Sequence, residues 1–114
     1  MTKTETQFRE WAKKEYPNAV IKKIPDYKQM GTGGAIGLPD YVIFYKEKTI
    51  WYEVKSGFGD TICLKTHFTD WQKITFSQIF RTGVELYIYC FTKTKGRQII
   101  SYKDLMIYGK IKFK

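Results

Sequence analysis

The sequence predicts an α/β fold in which a mixed central β-sheet is flanked by helices. Two segments have apolar residues at helical spacing and begin with a capping box, which is typical of helix N-termini. Five short segments rich in β-branched and aromatic residues are bounded by turn residues and predict strands. Their order, α-β-β-β-α-β-β, and the length of 114 residues predict a single domain over residues 1–114.

The first predicted helix begins at Thr2 or Thr4 and continues to about Glu15. Both starts are open because Glu5 and Gln7, respectively, stand three residues after the two threonines, as a capping box requires. The apolar stripe of this helix consists of Phe8, Trp11, Ala12 and Tyr16. At about 100° per residue, Glu5 projects close to that stripe, whereas Glu10 points away from it.

Three predicted strands follow. The segment "AVIKKI" (residues 19–24) predicts the first strand. The glycine-rich loop "MGTGGAIGLP" lacks the ending of a phosphate-binding P-loop, so its glycines are expected to allow close approach of backbone segments. "DYVIFY" and "TIWYEVK" then predict a hairpin that turns at residues 46–48.

The second half of the chain predicts a helix followed by a hairpin. Thr69 and Gln72 form another capping box, which opens a helix to about Thr82. "VELYIYCF" and "RQIIS" predict the second hairpin. Residues 102–114 predict a short helix and a basic tail, and Cys63 is expected in a loop.

The formal net charge of +9 is distributed from one end of the chain to the other. Such charge favours a phosphate-binding face, with a solvated surface as the open alternative. No apolar segment reaches the ~20 residues that span a bilayer, and the N-terminus lacks a signal-peptide core, so a cytoplasmic protein is expected. Cys63, Cys90 and His67 lack the number and spacing of structural zinc ligands.

Charged residues interrupt the two apolar runs of the first hairpin. Alternation along the strand places Glu53 and Lys55 on one face. Closure of the hairpin brings Asp40 opposite Glu53 or Lys55, depending on the length of the turn. Three charged groups are therefore expected to converge at one end of the hairpin.

Such a cluster suits a divalent cation. Two neighbouring carboxylates repel each other unless a cation neutralises them, and Mg²⁺ takes one or two carboxylates together with water and phosphate oxygens. Asp40 and Glu53 provide that set, and Lys55 is placed to orient an attacking water or to stabilise developing charge. The alternative is a hairpin end closed by a salt bridge, with Glu53 paired to Lys55.

The stretches "GLPDYVIF" and "IWYEVKSG" resemble the motif of the PD-(D/E)XK nucleases, and are especially similar to virus-type replication-repair nuclease (VRR-NUC) domains and archaeal Holliday junction resolvases. The resemblance extends from Glu5 to about Phe91 and implies a restriction-endonuclease-like core. It implies three metal ligands, namely Asp40, Glu53 and the backbone carbonyl of Val54. The catalytic residues that it implies are Glu5, Asp40, Glu53, Lys55 and Gln72. Glu5 and Gln72 also have the open alternative of acting only as capping-box partners.

The resemblance implies a Mg²⁺-dependent endodeoxyribonuclease, with Mn²⁺ as a substitute, selective for branched DNA such as four-way junctions in recombination and repair. The alternatives are a general or flap-trimming DNA nuclease of viral origin and a non-catalytic basic DNA-binding domain. Lys22, Lys23 and Ser56 are candidates for contacts with DNA phosphates, although Ser56 also suits a turn. A homodimer is expected because the helix after Thr69 has apolar residues on more than one face.

Overall fold

A computed structural model describes residues 2–25, 37–57 and 59–114. The helices are α1 (Lys3–Glu15), α2 (Leu64–His67), α3 (Asp70–Arg81) and α4 (Tyr102–Tyr108). The strands are β1 (Val20–Lys23), β2 (Tyr41–Tyr45), β3 (Lys48–Ser56), β4 (Thr61–Cys63), β5 (Glu85–Thr92), β6 (Gly96–Ser101) and β7 (Lys110–Lys112). No helix among these elements is long and apolar enough to cross a membrane.

The main sheet has five strands in the order β1-β2-β3-β5-β6. β3 and β5 are parallel, and the other neighbouring strands are antiparallel. The parallel pair requires a crossover, which runs through β4, α2 and α3. The predicted mixed sheet flanked by helices is therefore confirmed.

Helices cover both faces of this sheet. On one face, Phe8 of α1 is buried against aromatic rings, with ring centroids 4.8 Å from Tyr41 and 5.2 Å from both Tyr52 and Tyr89. On the other face, Phe76 of α3 belongs to a separate apolar cluster with residues of β5, β6 and α4. Aromatic packing thus fixes α1 on the sheet.

The cap of α1 is at Thr2, one of the two starts that the sequence left open. The Thr2 hydroxyl accepts the Glu5 N–H and the Glu5 side chain accepts the Thr2 N–H, so both halves of the capping box are present. The helix continues to Glu15, as predicted. Its cap therefore holds Glu5 at the end of the helix that lies near Tyr41 and Asp40.

A second, two-stranded sheet pairs β4 with β7. Two predictions were wrong here: Cys63 ends β4 rather than lying in a loop, and the expected basic tail contains β7 after the helix α4. Strands of three residues are too short to show an alternating pattern, and each is stabilised by a partner far away in the sequence. Pairing across this distance cannot be recognised from either segment alone.

The glycine-rich loop lies mostly outside the described residues, and only its last three residues, 37–39, are described. Gly37 has a φ of +80°, and a Cβ atom there would lie 2.5 Å from the carbonyl oxygen of Trp71 and 2.9 Å from the Thr75 hydroxyl. Only glycine fits this close approach without displacing α3. The chain just before Asp40 is therefore packed directly on α3.

Candidate active site

Asp40 and Glu53 meet at one end of the β2–β3 hairpin. Tyr41 pairs with Tyr52, so the register places Asp40 opposite Glu53 rather than Lys55. The Asp40 N–H donates to Glu53 Oε1 at 3.2 Å, and the Val54 N–H donates to Asp40 Oδ2 at 2.9 Å. The predicted convergence of the two acids is therefore present.

Burial makes these two carboxyl groups resist ionisation. Only 3% of the Glu53 surface is exposed, and this burial, together with the charge of Asp40, raises the pKa of Glu53 to about 8. The pKa of Asp40 is also raised, mainly by burial, although the hydrogen bond from Val54 opposes the effect. Near neutral pH the pair therefore retains a proton, which a divalent cation bound there would replace.

Lys55 lies beside Glu53 on the same face of β3, as the alternation predicts. Its Nζ is 3.4 Å from Glu53 Oε2 and 4.6 Å from the centroid of the Phe68 ring. The Lys55 side chain is only 16% exposed, so the ammonium group is confined between an aromatic face and a carboxylate. The sequence pattern did not identify Phe68 as its partner, because the contact depends on where α2 ends.

Gln72 belongs both to the cap of α3 and to the carboxylate cluster. Its Oε1 accepts the Thr69 N–H at 3.0 Å, which completes the capping box of α3. Its Nε2 donates to Glu53 Oε2 at 3.0 Å. The two sequence interpretations of Gln72, as a cap and as a site residue, are therefore compatible. Its cap bond fixes the amide so that the NH₂ group faces Glu53.

Glu5 lies near the cluster but is engaged with other groups. Its Oε1 is 2.5 Å from Lys23 Nζ, and its Oε2 accepts the Thr2 N–H at 3.1 Å. Burial acts to raise the pKa of Glu5, but the bonds from Lys23 and Thr2 prevail and lower it. The charge of Glu5 contributes to the raised pKa of Asp40, so the two carboxylates are electrostatically coupled. The pairing of Glu5 with Lys23 was not predicted from the sequence.

The three candidate DNA contacts do not lie on one surface. Lys22 pairs with Val42 and Lys23 with Tyr41, so the two lysines project from opposite faces of β1. Ser56 is exposed at the end of β3, opposite Phe91 of β5. Lys23 interacts electrostatically with Asp40 of the carboxylate cluster.

The donor set fits a cation that keeps open coordination positions. Within residues 2–25, 37–57 and 59–114, no three His, Cys, Asp or Glu side chains gather to form a closed site. Two carboxylates suit Mg²⁺ or Mn²⁺ completed by water and phosphate oxygens, and do not suit a structural zinc site. The backbone carbonyl of Val54 remains a predicted third ligand.

The fold and the position of the carboxylates define an α/β domain of the restriction-endonuclease-like type. No family model and no curated protein matches the sequence. Among solved structures, Hjc, a Holliday junction resolvase from the archaeal hyperthermophile Archaeoglobus fulgidus, matches with a TM-score of 0.54 and 18% sequence identity. The match covers 85% of this chain and 75% of that chain. It confirms the restriction-endonuclease-like fold that the sequence resemblance implied.

Proposed function

We propose that this chain is a divalent-metal-dependent endodeoxyribonuclease of the PD-(D/E)XK superfamily that cuts branched DNA. The observation that carries the proposal is the hydrogen-bonded pair of Asp40 and Glu53, with Lys55 Nζ 3.4 Å from Glu53. A purely structural hairpin end gains nothing from a buried Glu53 beside a second acid, because burial and the charge of Asp40 both raise the pKa of Glu53. A bound divalent cation would neutralise the two carboxylates and so explain why they lie together.

The residues divide the work as follows. Asp40 and Glu53, with the carbonyl of Val54, hold Mg²⁺ or Mn²⁺, which when bound supplies polarisation of the scissile phosphate and a water of lowered pKa. Lys55 directs its ammonium group toward the phosphate and the attacking water. Gln72 positions Glu53 through the bond from Nε2, and Glu5 acts on Asp40 through its charge.

One observation supports DNA as the substrate, and a second favours branched DNA. The net charge of +9 supports extensive contact with phosphates, which gives affinity without reading sequence. One matching solved structure, Hjc, is a Holliday junction resolvase, which makes a four-way junction the first substrate to test. Lys22, Lys23 and Ser56 remain candidates for phosphate contacts. A VRR-NUC affiliation and a viral origin would instead favour trimming of flaps.

One experiment separates these substrates. The protein is incubated with a labelled four-way junction, a flap and a linear duplex, each with Mg²⁺, Mn²⁺ or EDTA. We expect cleavage of the junction in both metals and none in EDTA. Binding of all three without cleavage in either metal would identify a non-catalytic DNA-binding domain and refute the nuclease proposal. Preferred cleavage of the flap would support the nuclease proposal but make a flap, rather than a four-way junction, the substrate.

We also propose a homodimer, in which two sites cut opposing strands of a junction. Trp71 and Ile74 on α3 are 59% and 51% exposed, which leaves an apolar surface that a second copy could cover. A wild-type dimer should linearise a cruciform plasmid, whereas a mixed dimer with one Asp40→Asn subunit should only nick it. Sedimentation as a monomer at micromolar concentration, with only nicking by the wild type, would refute paired cutting.

A further inference from the structure

A cavity lies between α1 and the edge strand β6, on the α1 face of the main sheet. Its volume is about 320 Å³. Its lining consists of Gln7, Glu10, Trp11, Lys14, Phe91 and Arg97. Gln7, Trp11 and Lys14 occupy positions i, i+4 and i+7 of α1 and therefore share one stripe of the helix. None of these residues belongs to the carboxylate cluster.

The lining combines aromatic surface with positive charge. The Arg97 guanidinium stands 5.8 Å from the centroid of Trp11, and its Nε donates to the buried Tyr89 hydroxyl at 3.2 Å. This bond holds the arginine in place, while Phe91 and Trp11 contribute ring surface. Arg97 and Lys14 together outweigh the one carboxylate, Glu10, so the cavity has a net positive charge. Aromatic rings and cations together are the chemistry that binds bases and phosphates.

The Gln7 side chain has an unused hydrogen-bond acceptor. Its Oε1 atom is buried and has no hydrogen-bond partner among the described residues. A buried acceptor without a partner costs about 1–3 kcal/mol, and the terminal amide torsion is soft enough to turn the oxygen toward the cavity. A ligand with an N–H donor, such as the exocyclic amine of a base, would satisfy it.

Phe91 of the cavity and Lys55 of the candidate site lie toward the same end of the parallel strands β3 and β5. Lys55 pairs with Cys90 and Ser56 pairs with Phe91, so Phe91 is one step farther along the ladder than the catalytic lysine. Because side chains alternate, Phe91 projects to the α1 face and Lys55 to the opposite face. A strand leaving the cluster would have to pass around the ends of β3 and β5 to reach the cavity.

We propose that this cavity binds one unpaired nucleotide of the DNA substrate. The inference rests on the proposed function, since it takes the substrate strand as the source of the nucleotide. Trp11 and Phe91 contact the base, Gln7 accepts from its amine, and Arg97 and Lys14 bind its phosphate. A volume near the lower limit of small-ligand sites, about 300 Å³, admits a single nucleotide. The base must be unpaired, because a paired base could not enter between α1 and β6.

The test is nucleotide binding by the full chain in EDTA, where no cleavage occurs. A deoxynucleoside monophosphate is titrated while the side-chain N–H signals of Trp11 and Arg97 are followed by NMR. Deoxyribose 5-phosphate and inorganic phosphate are titrated in parallel. We expect the nucleotide to shift both signals and to bind about tenfold more tightly than deoxyribose phosphate, because it adds base stacking. Equal binding of inorganic phosphate would overturn recognition of a base.

Matched variants locate the site. Lys14→Gln and Arg97→Gln should each weaken nucleotide binding by about tenfold, since each removes a charge-assisted bond to the phosphate. Lys13→Gln changes the same charge on the same helix outside the lining and should leave the affinity as in the wild type. Equal weakening by Lys13→Gln, or unchanged affinity in both cavity variants, would overturn the inference.

Cleavage by the same preparations separates the two proposals. In one outcome, the wild type cleaves DNA in Mg²⁺ while the nucleotide causes no shift of the Trp11 and Arg97 signals. That result would refute nucleotide binding in the cavity and leave the nuclease proposal intact. Nucleotide binding at the cavity without cleavage of any DNA would refute the nuclease, and with it the substrate strand as the source of the nucleotide. We expect both cleavage and binding.

Discussion

The amide of Gln72 joins the start of α3 to the buried carboxylate of Glu53. Its Oε1 accepts the Thr69 N–H and its Nε2 donates to Glu53 Oε2, both at 3.0 Å. One side chain thus completes a helix cap and also fixes the Glu53 carboxyl group. The pKa of Glu53 is about 8, so this group changes its protonation near neutral pH. The two functions can be separated by mutation, because the cap has a second component in the Thr69 hydroxyl.

We expect Gln72→Ala to reduce the rate of DNA cleavage by about tenfold, whereas Thr69→Ala leaves it nearly unchanged. Both variants weaken the capping box and should lose a similar amount of stability, about 1 kcal/mol. Only Gln72→Ala removes the bond to Glu53. Single-turnover cleavage rates and thermal melts of both variants provide the measurement. Equal rates in the two variants would show that Gln72 is only a cap.

Alanine at Asp40, Glu53 or Lys55 should nearly abolish cleavage while DNA binding persists. The two acids are the proposed metal ligands, and loss of a positioned lysine typically costs about 10²–10⁴-fold in rate. Lys48→Ala is the matched control, because this lysine begins the same strand and is exposed at its other end. Junction cleavage and gel-shift affinity are measured together. Normal cleavage in all three variants would show that these residues do not form the active site.

The stability of the metal-free protein should fall as the pH rises from about 5 to 8. The folded-state pKa of Glu53 is about 8, against an ordinary value of 4.5, so the folded state binds an extra proton in this window. The unfolded state has already released this proton, so the free energy of unfolding decreases by up to about 1.4 kcal/mol per pH unit across the window. Asp40, whose pKa is also raised, contributes in the same direction.

Denaturant unfolding in EDTA at a series of pH values measures this slope. Glu53→Gln cannot ionise at this position and should flatten the dependence, with its largest stabilisation at the alkaline end. Glu47→Gln replaces an exposed glutamate in the turn of the same hairpin and should keep the wild-type slope. A wild-type slope in Glu53→Gln would mean that another group controls the pH response.

Gly37→Ala should destabilise the protein and reduce cleavage at once. The new Cβ would lie 2.5 Å from the Trp71 carbonyl oxygen, so α3 must shift, and Gln72 shifts with it. Gly83→Ala is the control for backbone strain alone, because it has a similar φ of +87° and no atom within 4 Å of the added Cβ. We expect Gly37→Ala to cost about 1–3 kcal/mol more than Gly83→Ala. Equal melting points for the two variants would show that the contact with α3 adds nothing.

The elements with a strong local signal could be predicted from the sequence. A capping box identified the start of α3 and limited the start of α1 to Thr2 or Thr4. Alternation along β3 identified the face that Glu53 and Lys55 share. The three-residue strands β4 and β7 could not be predicted, because each is defined only by its distant partner. The register of Asp40 also had two options until the turn fixed it.

Side-chain partners from separate elements were the least accessible to prediction. The pair of Lys23 and Glu5 joins α1 to β1, and the contact of Lys55 with Phe68 joins β3 to the end of α2. Neither contact follows from spacing within one segment. The same holds for the cavity between α1 and β6, since its lining comes from opposite ends of the chain.

The β2–β3 hairpin also has a consequence for the order of folding. Asp40 and Glu53 are only thirteen positions apart and meet when this hairpin closes, whereas β3 pairs with β5 only after a long crossover. Local closure is fast and distant pairing is slow, so repulsion between the two acids arises early on the folding pathway. Above the pKa of Glu53, Mg²⁺ should therefore accelerate refolding in stopped-flow experiments. An effect confined to the unfolding rate would mean that the carboxylates meet only after the rate-limiting step.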